Sequence, residues 1–239
     1  SDVYTREFGA FVQIFREIAA PKEFPHLFFV AGGALGVENA LKVAFDWKRQ
    51  KNCATGVDGG GDKVLHFREA FHGRSGYTLS LTNTGSVKTD NFPQFSWPRI
   101  SNPKVHFPID EEETAAAEAA SVAEIEQAFD ADPNGIAAII IEPIQGEGGD
   151  NHFRPEFLKQ LRRIADTREA MLIFDEVQTG IGLTGSMWAF QQLGVTPDIV
   201  AFGKKTQVCG IMSTDRVDDV DTNVFHVSSR INSTWGGNL

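Results

Sequence analysis

The uninterrupted apolar run Ile136–Ile141 constrains the fold more than any other feature of the sequence. A strand with one face in water alternates apolar and polar residues, whereas a strand covered on both faces is apolar throughout. Short apolar runs recur at 27–30, 64–67, 171–174 and 199–202, and segments with helical patterns separate them. Strands that alternate with helices predict an α/β fold, a mostly parallel sheet flanked by helices.

The helical segments are predicted from apolar residues that recur on one helix face. Such a series spans 37–45, and a second spans 154–168, where Pro155 suits the first turn. A short helix is predicted over 186–194. The segment 110–129 is acidic and alanine-rich, which predicts a helix in the solvated outer layer.

The composition limits the classes of partner. The chain carries a formal net charge of −10, which weighs against nucleic acid or an anionic membrane as the main partner. No apolar run approaches the roughly 18 residues of a membrane span, and no signal peptide opens the chain. Cys53 and Cys209 lie far apart, without the spacing of a metal site or a disulfide framework. We therefore predict a cytoplasmic protein that binds neither nucleic acid nor a membrane.

Polar or glycine-rich segments follow each of the apolar runs. In an open parallel sheet, ligands bind beyond the carboxyl ends of the strands, so these segments are predicted to meet at one edge. They are residues 32–34, 71–76, 142–149, 175–180 and 203–205. This convergence points to a ligand site more strongly than any single motif does.

Each of these residues also has a structural interpretation. Gly33 can serve a tight turn, or it can let backbone N–H groups at a helix N-terminus hold a phosphate. Asp175 can cap a helix, or it can be a buried anion that needs a cation. Phe71 alone is more often a core residue, His72 alone is more often a structural hydrogen-bonding residue, and Lys205 is expected to be solvated.

A nucleotide-hydrolysing enzyme is excluded by spacing. The segment "MLIFDE" is similar to a Walker B strand, and "GKKT" to part of a P-loop. A P-loop requires a glycine five positions before its second glycine and Ser or Thr after its lysine. Here Asp198 stands five positions before Gly203, and Lys205 follows Lys204. The histidines lack the HExxH spacing, so no metal site is predicted.

The remaining set is a phosphate site, a strand-end aspartate, an aromatic residue and a strand-end lysine. Pyridoxal phosphate needs this set, because lysine forms a Schiff base with its aldehyde and an acid keeps its pyridine nitrogen protonated. The phosphate group suits helix-terminal N–H groups, and the ring suits an aromatic face. We therefore predict pyridoxal 5'-phosphate as the cofactor.

Four motifs resemble those of the class III, fold-type I aminotransferases. They are "FHGRSGYT" (71–78), "EPIQGEGG" (142–149), "FDEVQTG" (174–180) and "FGKK" (202–205). Within that family, "FGKKTQVCG", "SLTNT" and "STWGGNL" resemble the L-lysine 6-aminotransferases. Two departures from the wider family pattern, "GLTG" after the aspartate motif and "TQVCG" after the lysines, fit that subgroup.

The resemblance implies a role for each residue that would hold the cofactor. Lys204 matches the Schiff-base lysine, which makes Lys205 only its neighbour, and Asp175 matches the partner of the pyridine nitrogen. Gln178 matches a residue near the phenolic oxygen of the cofactor and the substrate. Gly33 and Ala34 match the phosphate cradle.

Further residues are implied around the ring and the substrate. Phe71 matches the aromatic residue that stacks on the ring, with His72 beside it. Arg74 resembles an arginine that receives a substrate carboxylate, and Glu147 resembles a glutamate that masks or releases a second, C-terminal arginine. Thr234 matches a threonine that reaches the phosphate of the other subunit, which implies a homodimer with shared active sites.

The resemblance implies a reaction of lysine catabolism. The ε-amino group of L-lysine would pass to 2-oxoglutarate, giving 2-aminoadipate 6-semialdehyde and L-glutamate. Another ω-aminotransferase that acts on ornithine or a related diamine, and an inactive fragment, remain alternatives. Because the chain begins at Ser1 rather than Met and ends in the loop-like segment 233–239, we expect part of a longer protein. The resemblance implies that residues 1–239 are the pyridoxal phosphate-binding large domain, without the family's N-terminal segment and C-terminal small domain.

Overall fold

The structure, a computed structural model, describes residues 4–237. The strands in these residues are β1 (His26–Val30), β2 (Lys63–Phe67), β3 (Arg99–Ile100), β4 (Ile136–Ile141), β5 (Ile144–Gln145), β6 (Asn151–His152), β7 (Met171–Asp175), β8 (Ile199–Phe202) and β9 (Cys209–Ser213). Seven of them form the central sheet, in the order β1-β9-β8-β7-β4-β2-β3, and β5 and β6 form a separate antiparallel pair.

The predicted α/β fold with a mostly parallel sheet is confirmed. The five apolar runs of the sequence form β1, β2, β4, β7 and β8. Strands β2, β4, β7 and β8 pair in parallel, and β9 lies antiparallel between β8 and β1. Two antiparallel pairings in succession restore the direction, so β1 runs parallel to the other four. Their carboxyl ends therefore lie at the same edge of the sheet.

Helices cover both faces of this sheet. Within residues 4–237, the α-helices are α1 (Arg6–Ile14), α2 (Gly33–Ala54), α3 (Gly76–Leu81), α4 (Glu111–Ala131), α5 (Pro155–Thr167) and α6 (Ala189–Leu193). The buried side of α2 forms one core cluster with one face of the sheet, while α1, α4 and α5 contribute to the cluster on the other face. Along β4, Ile139 and Ile141 belong to one cluster and Ala138 and Ile140 to the other, which explains why this strand is apolar throughout.

Local sequence signals fix the ends of several helices. Asp110 caps α4 by accepting a hydrogen bond from the Glu113 N–H at 2.9 Å, and Pro155 is the first residue of α5. Gly194 ends α6 in the left-handed conformation, with φ of 66°. These contacts agree with the predicted helices, although α4 is less solvated than its composition suggests, because it buries Ile125 and Phe129.

Several parts of the fold were not predicted from the sequence. They are helices α1 and α3, strand β3, the antiparallel strand β9 and the β5–β6 pair. The loop-like C-terminal segment forms a turn over residues 234–237, and residues 238 and 239 lie outside the described residues. Within residues 4–237, no helix has the length and apolar character needed to cross a membrane.

Candidate active site

A cavity of about 370 Å³ opens at the carboxyl edge of the parallel strands. This volume lies within the range of small-molecule and cofactor sites. Segments that follow β1, β2, β4, β7 and β8 all contribute to its wall, as the strand-end argument predicts. The lining residues are Gly33, Ala34, Val37, Phe71, His72, Gly73, Glu142, Gly146, Glu147, Asp150, Asp175, Val177, Gln178 and Lys204.

Asp175 supplies a buried carboxylate to this cavity. It is the last residue of β7 and is only 4% exposed. Its Oδ1 accepts a hydrogen bond from the Val177 N–H at 3.1 Å, and its Oδ2 lies 2.8 Å from Nδ1 of His72. A buried anion needs such donors, and its free lone pairs can accept another hydrogen bond from a cationic ligand.

His72 and Glu142 lie beside that carboxylate and form the floor of the cavity with it. Burial lowers the pKa of His72, but the hydrogen bond and the charge of Asp175 outweigh burial, and the pKa is raised above its ordinary value. Burial raises the pKa of Glu142 to about 7, with a further rise from the charge of Asp175. Glu142 accepts a hydrogen bond from the Phe71 N–H at 2.8 Å. A perturbed acidic group in a cavity is typical of functional sites.

The N-terminus of α2 forms another part of the cavity wall. Gly32 precedes the helix with φ of 114°, and Gly33 and Ala34 face the cavity in the first turn. The first N–H groups of a helix lack an intrahelical acceptor, and the helix dipole favours an anion there. Gly73, with φ of 114°, packs so closely that a Cβ atom would lie 2.6 Å from the Cβ of Ala34. The glycine therefore lets the loop after β2 reach this helix end.

Two lysines follow β8, and only Lys204 lines the cavity. The Lys204 ammonium donates a hydrogen bond to Oε1 of Gln178. Lys205 donates to the backbone carbonyl of Gln178. Burial lowers the pKa of Lys205, and the positive charge of Lys204 adds to that effect. The amine that can react with a ligand in the cavity is therefore that of Lys204.

The rim of the cavity carries an aromatic ring and an ion pair. Phe71 is partly buried and lines the cavity. The ammonium of Lys88 lies 5.5 Å from the centroid of the Phe71 ring and pairs with Oε1 of Glu147. This ion pair lowers the pKa of Glu147, first through the hydrogen bond from Lys88, so the glutamate stands at the rim as an anion.

Eight of the predicted site residues come together around this cavity. They are Gly33, Ala34, Phe71, His72, Glu147, Asp175, Gln178 and Lys204. Arg74 is exposed and does not line the cavity, although its neighbour Gly73 does. Thr234 is also exposed, in the C-terminal turn, and does not line the cavity.

Several residues of the site were missed from the sequence, among them Glu142 and Lys88. Glu142 directly follows the apolar run of β4, as Asp175 ends that of β7, so its position was a signal for it. Lys88 had no such signal, because its partner Glu147 lies 59 residues away.

Comparison of the sequence with known protein families identifies the family of this chain. The sequence profile described as "Aminotransferase class-III" matches residues 3–239. This chain belongs to the class-III aminotransferases. The match covers nearly the whole chain and agrees with the family that the four motifs indicated.

Individual class-III aminotransferases match over the full chain. The L-lysine-epsilon aminotransferase of Mycobacterium tuberculosis is 59% identical over 240 residues, which cover 100% of this chain and 54% of that protein. The L-lysine-epsilon aminotransferase of Streptomyces clavuligerus is 53% identical, over 100% of this chain and 52% of that protein. The chain therefore spans about half the length of the curated relatives it matches.

A solved structure agrees with the fold. The lysine aminotransferase from M. tuberculosis, in its internal aldimine form, superposes with a TM-score of 0.96 at 58% sequence identity. The superposition covers 98% of this chain and 55% of the other. The sheet and the helices that position the cavity thus have a counterpart in a class-III aminotransferase.

Proposed function

We propose that this chain is the cofactor-binding part of a pyridoxal phosphate-dependent L-lysine 6-aminotransferase. The observation that carries the proposal is that one cavity brings together the amine of Lys204, the buried carboxylate of Asp175 and the N-terminus of α2. The names of the relatives support lysine as the amino donor. The chain would then contribute to the transfer of the ε-amino group of L-lysine to 2-oxoglutarate.

The residues present fit pyridoxal phosphate. The N-terminal turn of α2, with Gly33 and Ala34, would hold the phosphate group, and Phe71 would lie against the ring. The carboxylate of Asp175 retains acceptor capacity beyond its bonds to His72 and the Val177 N–H, as a protonated ring nitrogen requires. When bound, the cofactor supplies a reactive aldehyde and a ring that withdraws electrons.

The side chains around the cavity would handle the protons of the reaction. Lys204 Nζ would hold the cofactor covalently, and its free amine would act as the general base and acid that moves the proton of the amino-bearing carbon of the substrate. Gln178 accepts a hydrogen bond from Lys204 Nζ and would orient that amine. His72 would hold the Asp175 carboxylate in place through the hydrogen bond between its Nδ1 and Oδ2 of Asp175.

Arg74 and Glu147 are proposed to select the substrate. The guanidinium of Arg74 suits a carboxylate. Within residues 4–237 it forms no ion pair, so it can bind the carboxylate of a substrate. Glu147 stands at the rim as an anion and would mask or release a second, C-terminal arginine as the two substrates alternate. The products of the two half-reactions would be 2-aminoadipate 6-semialdehyde and L-glutamate.

The proposal extends to the whole enzyme. We infer that residues 1–239 are the large domain and that a C-terminal small domain supplies a second arginine, since the matched relatives are almost twice as long. Thr234 would reach the phosphate of a second subunit in a homodimer, and its exposed position is compatible with that contact. The free thiols of Cys53 and Cys209 support a cytoplasmic location.

The test of the cofactor role is covalent labelling. The chain is loaded with pyridoxal phosphate, reduced with borohydride and cleaved, and the labelled peptide is sequenced. We expect the label on Lys204. Lys205→Met serves as the matched control and should still be labelled, whereas Lys204→Met should not. A label on Lys205 would overturn the assignment.

The test of the substrate uses a full-length version and a panel of amino donors with 2-oxoglutarate. We expect L-lysine to be the best donor, with attack at the ε-amino group. Ornithine or another diamine as the best donor would favour a different ω-aminotransferase. Because the 239 residues would lack the second arginine, we expect the chain alone to bind the cofactor weakly and to give little or no turnover.

A further inference from the structure

Lys88 is a cation at the rim of the cavity that neither the sequence motifs nor the proposed chemistry uses. It ends a short helical turn, Ser86–Lys88. Its ammonium contacts Oγ1 of Thr84 at 2.8 Å, pairs with Oε1 of Glu147 and lies above the ring of Phe71. Contacts with Thr84, Glu147 and Phe71 therefore fix the position of the Lys88 ammonium group.

The ion pair lies at the boundary between the cavity and the solvent. The Lys88 side chain is 25% exposed, while that of Glu147 is 52% exposed. Both Lys88 and Lys204 lower the pKa of Glu147, Lys88 with the larger effect. Glu147 is thus an anion that two cations stabilise. Lys204 would bind the cofactor covalently, whereas Lys88 has no role in the proposed chemistry and stays charged.

We propose that Lys88 is a positioning residue that holds the Glu147 carboxylate on the Phe71 side of the rim and cancels its charge. An incoming substrate carboxylate then meets a neutral pair, and Glu147 is kept away from the second arginine that it would otherwise mask. The inference deepens the proposed function and rests on it, because it requires that substrates pass Glu147. Lys88 itself need not touch the substrate.

The two substrates respond to this charge with opposite signs. The acceptor 2-oxoglutarate is a dianion, whereas L-lysine carries a net positive charge at neutral pH. Loss of the Lys88 charge would leave Glu147 free to mask the second arginine. There it competes with a carboxylate of the dianion, whereas its negative charge does not repel the ammonium group of lysine. The KM for 2-oxoglutarate should rise, while the KM for lysine should stay the same or fall.

The experiment measures both KM values in a full-length version with Lys88→Met, which keeps the chain length and removes the charge. We expect the KM for 2-oxoglutarate to rise about two- to fivefold, the effect of a partly exposed ion pair, with little change in kcat. Lys88→Arg should restore the original KM. Adding Glu147→Gln to Lys88→Met should also relieve the competition. Lys159→Met, an exposed lysine on α5, is the control for a general loss of positive charge.

A second measurement does not depend on turnover. Glutarate is an unreactive dianion, and its binding to the cofactor-loaded protein can be followed by calorimetry. Its Kd should rise about two- to fivefold in Lys88→Met, and this rise should shrink as salt is added. Lys159→Met should leave the Kd unchanged.

The results separate this inference from the function on which it rests. Transamination by the unmodified protein, combined with equal or absent KM changes for the two substrates in Lys88→Met, would overturn the role of Lys88 alone. A full-length version that neither binds pyridoxal phosphate nor transfers amino groups would overturn the proposed function and this inference together.

Discussion

The substitution Glu142→Gln tests the electrostatics of the cavity floor without requiring any ligand. Glu142 is 4% exposed and accepts the Phe71 N–H. Burial raises its pKa from 4.5 to about 7, and the charge of Asp175 adds to the rise, while His72 opposes it. A glutamine keeps a carbonyl oxygen for the Phe71 N–H but cannot ionise.

The size of the effect follows from linkage. The pKa of Glu142 is higher in the folded chain than its ordinary value of 4.5, so the folded state binds this proton more tightly. The stability it contributes is complete below pH 4.5 and is lost as the pH rises through about 7. A shift of about 2.5 pKa units corresponds to about 3 kcal/mol. This is an upper limit, because His72 loses an attractive anion in the variant.

The assay is urea unfolding of the 239-residue chain between pH 5 and pH 8.5, followed by circular dichroism. We expect the unmodified chain to lose stability as the pH rises and Glu142→Gln to lose less. The free energies of unfolding should therefore diverge between about pH 4.5 and pH 7, and above that differ by a constant amount of up to about 3 kcal/mol. The exposed Glu23 provides the control Glu23→Gln, which should follow the unmodified chain.

A parallel pH dependence in Glu142→Gln and in the unmodified chain would refute the argument. It would mean that the carboxyl group ionises at its ordinary pH despite burial, through water or movement of the floor. A variant that is equally destabilised at all pH values would have the same meaning, since a lost hydrogen bond does not titrate.

Three further predictions concern the cavity. Asp175→Asn should abolish transamination in a full-length version while circular dichroism remains unchanged, and should lower the pKa of His72, measured by NMR titration; near-normal turnover would exclude the proposed role. Arg74→Ala should raise the KM of a carboxylate substrate roughly 10- to 100-fold, as expected for a hydrogen bond to a charged group, with the Kd of pyridoxal phosphate unchanged. Gly73→Ala should weaken pyridoxal phosphate binding in a spectroscopic titration, because its Cβ would lie 2.6 Å from that of Ala34; unchanged binding would mean that the helix end does not hold the phosphate.

Much of the fold could be predicted because the parallel strands are covered on both faces. Such strands are apolar throughout, so β4 and β8 are bounded in the sequence by their first polar or glycine neighbours. Strand β9 is equally buried, but its orientation depends on the turn that precedes it. In that turn Gln207 adopts a φ of 60° and Thr206 N–H bonds to the carbonyl of Gly203. No periodic pattern reports such a turn.

The candidate site also contains residues that the sequence predicted and contacts that it did not. Asp175 and Lys204 were predictable because each follows the end of a parallel strand, and those ends meet at one edge. The pairing of Lys88 with Glu147 joins two loops 59 residues apart. Whether two such side chains meet depends on how the loops pack, so the sequence pattern does not predict their contact.

The charge of the cavity changes from negative on the floor to positive at the walls and rim. This arrangement suits a ligand with a cationic ring and an anionic tail. On the floor, burial favours the protonated form of Glu142, which leaves the Asp175 carboxylate, fixed by His72, as the group to meet a ring nitrogen. At the walls and rim, the N-terminus of α2 and the ammonium of Lys204 favour anions. Lys88 extends that positive region outward by cancelling Glu147. Two ionised carboxylates on this floor would repel each other. The raised pKa of Glu142 is therefore the condition under which Asp175 remains the single anion there.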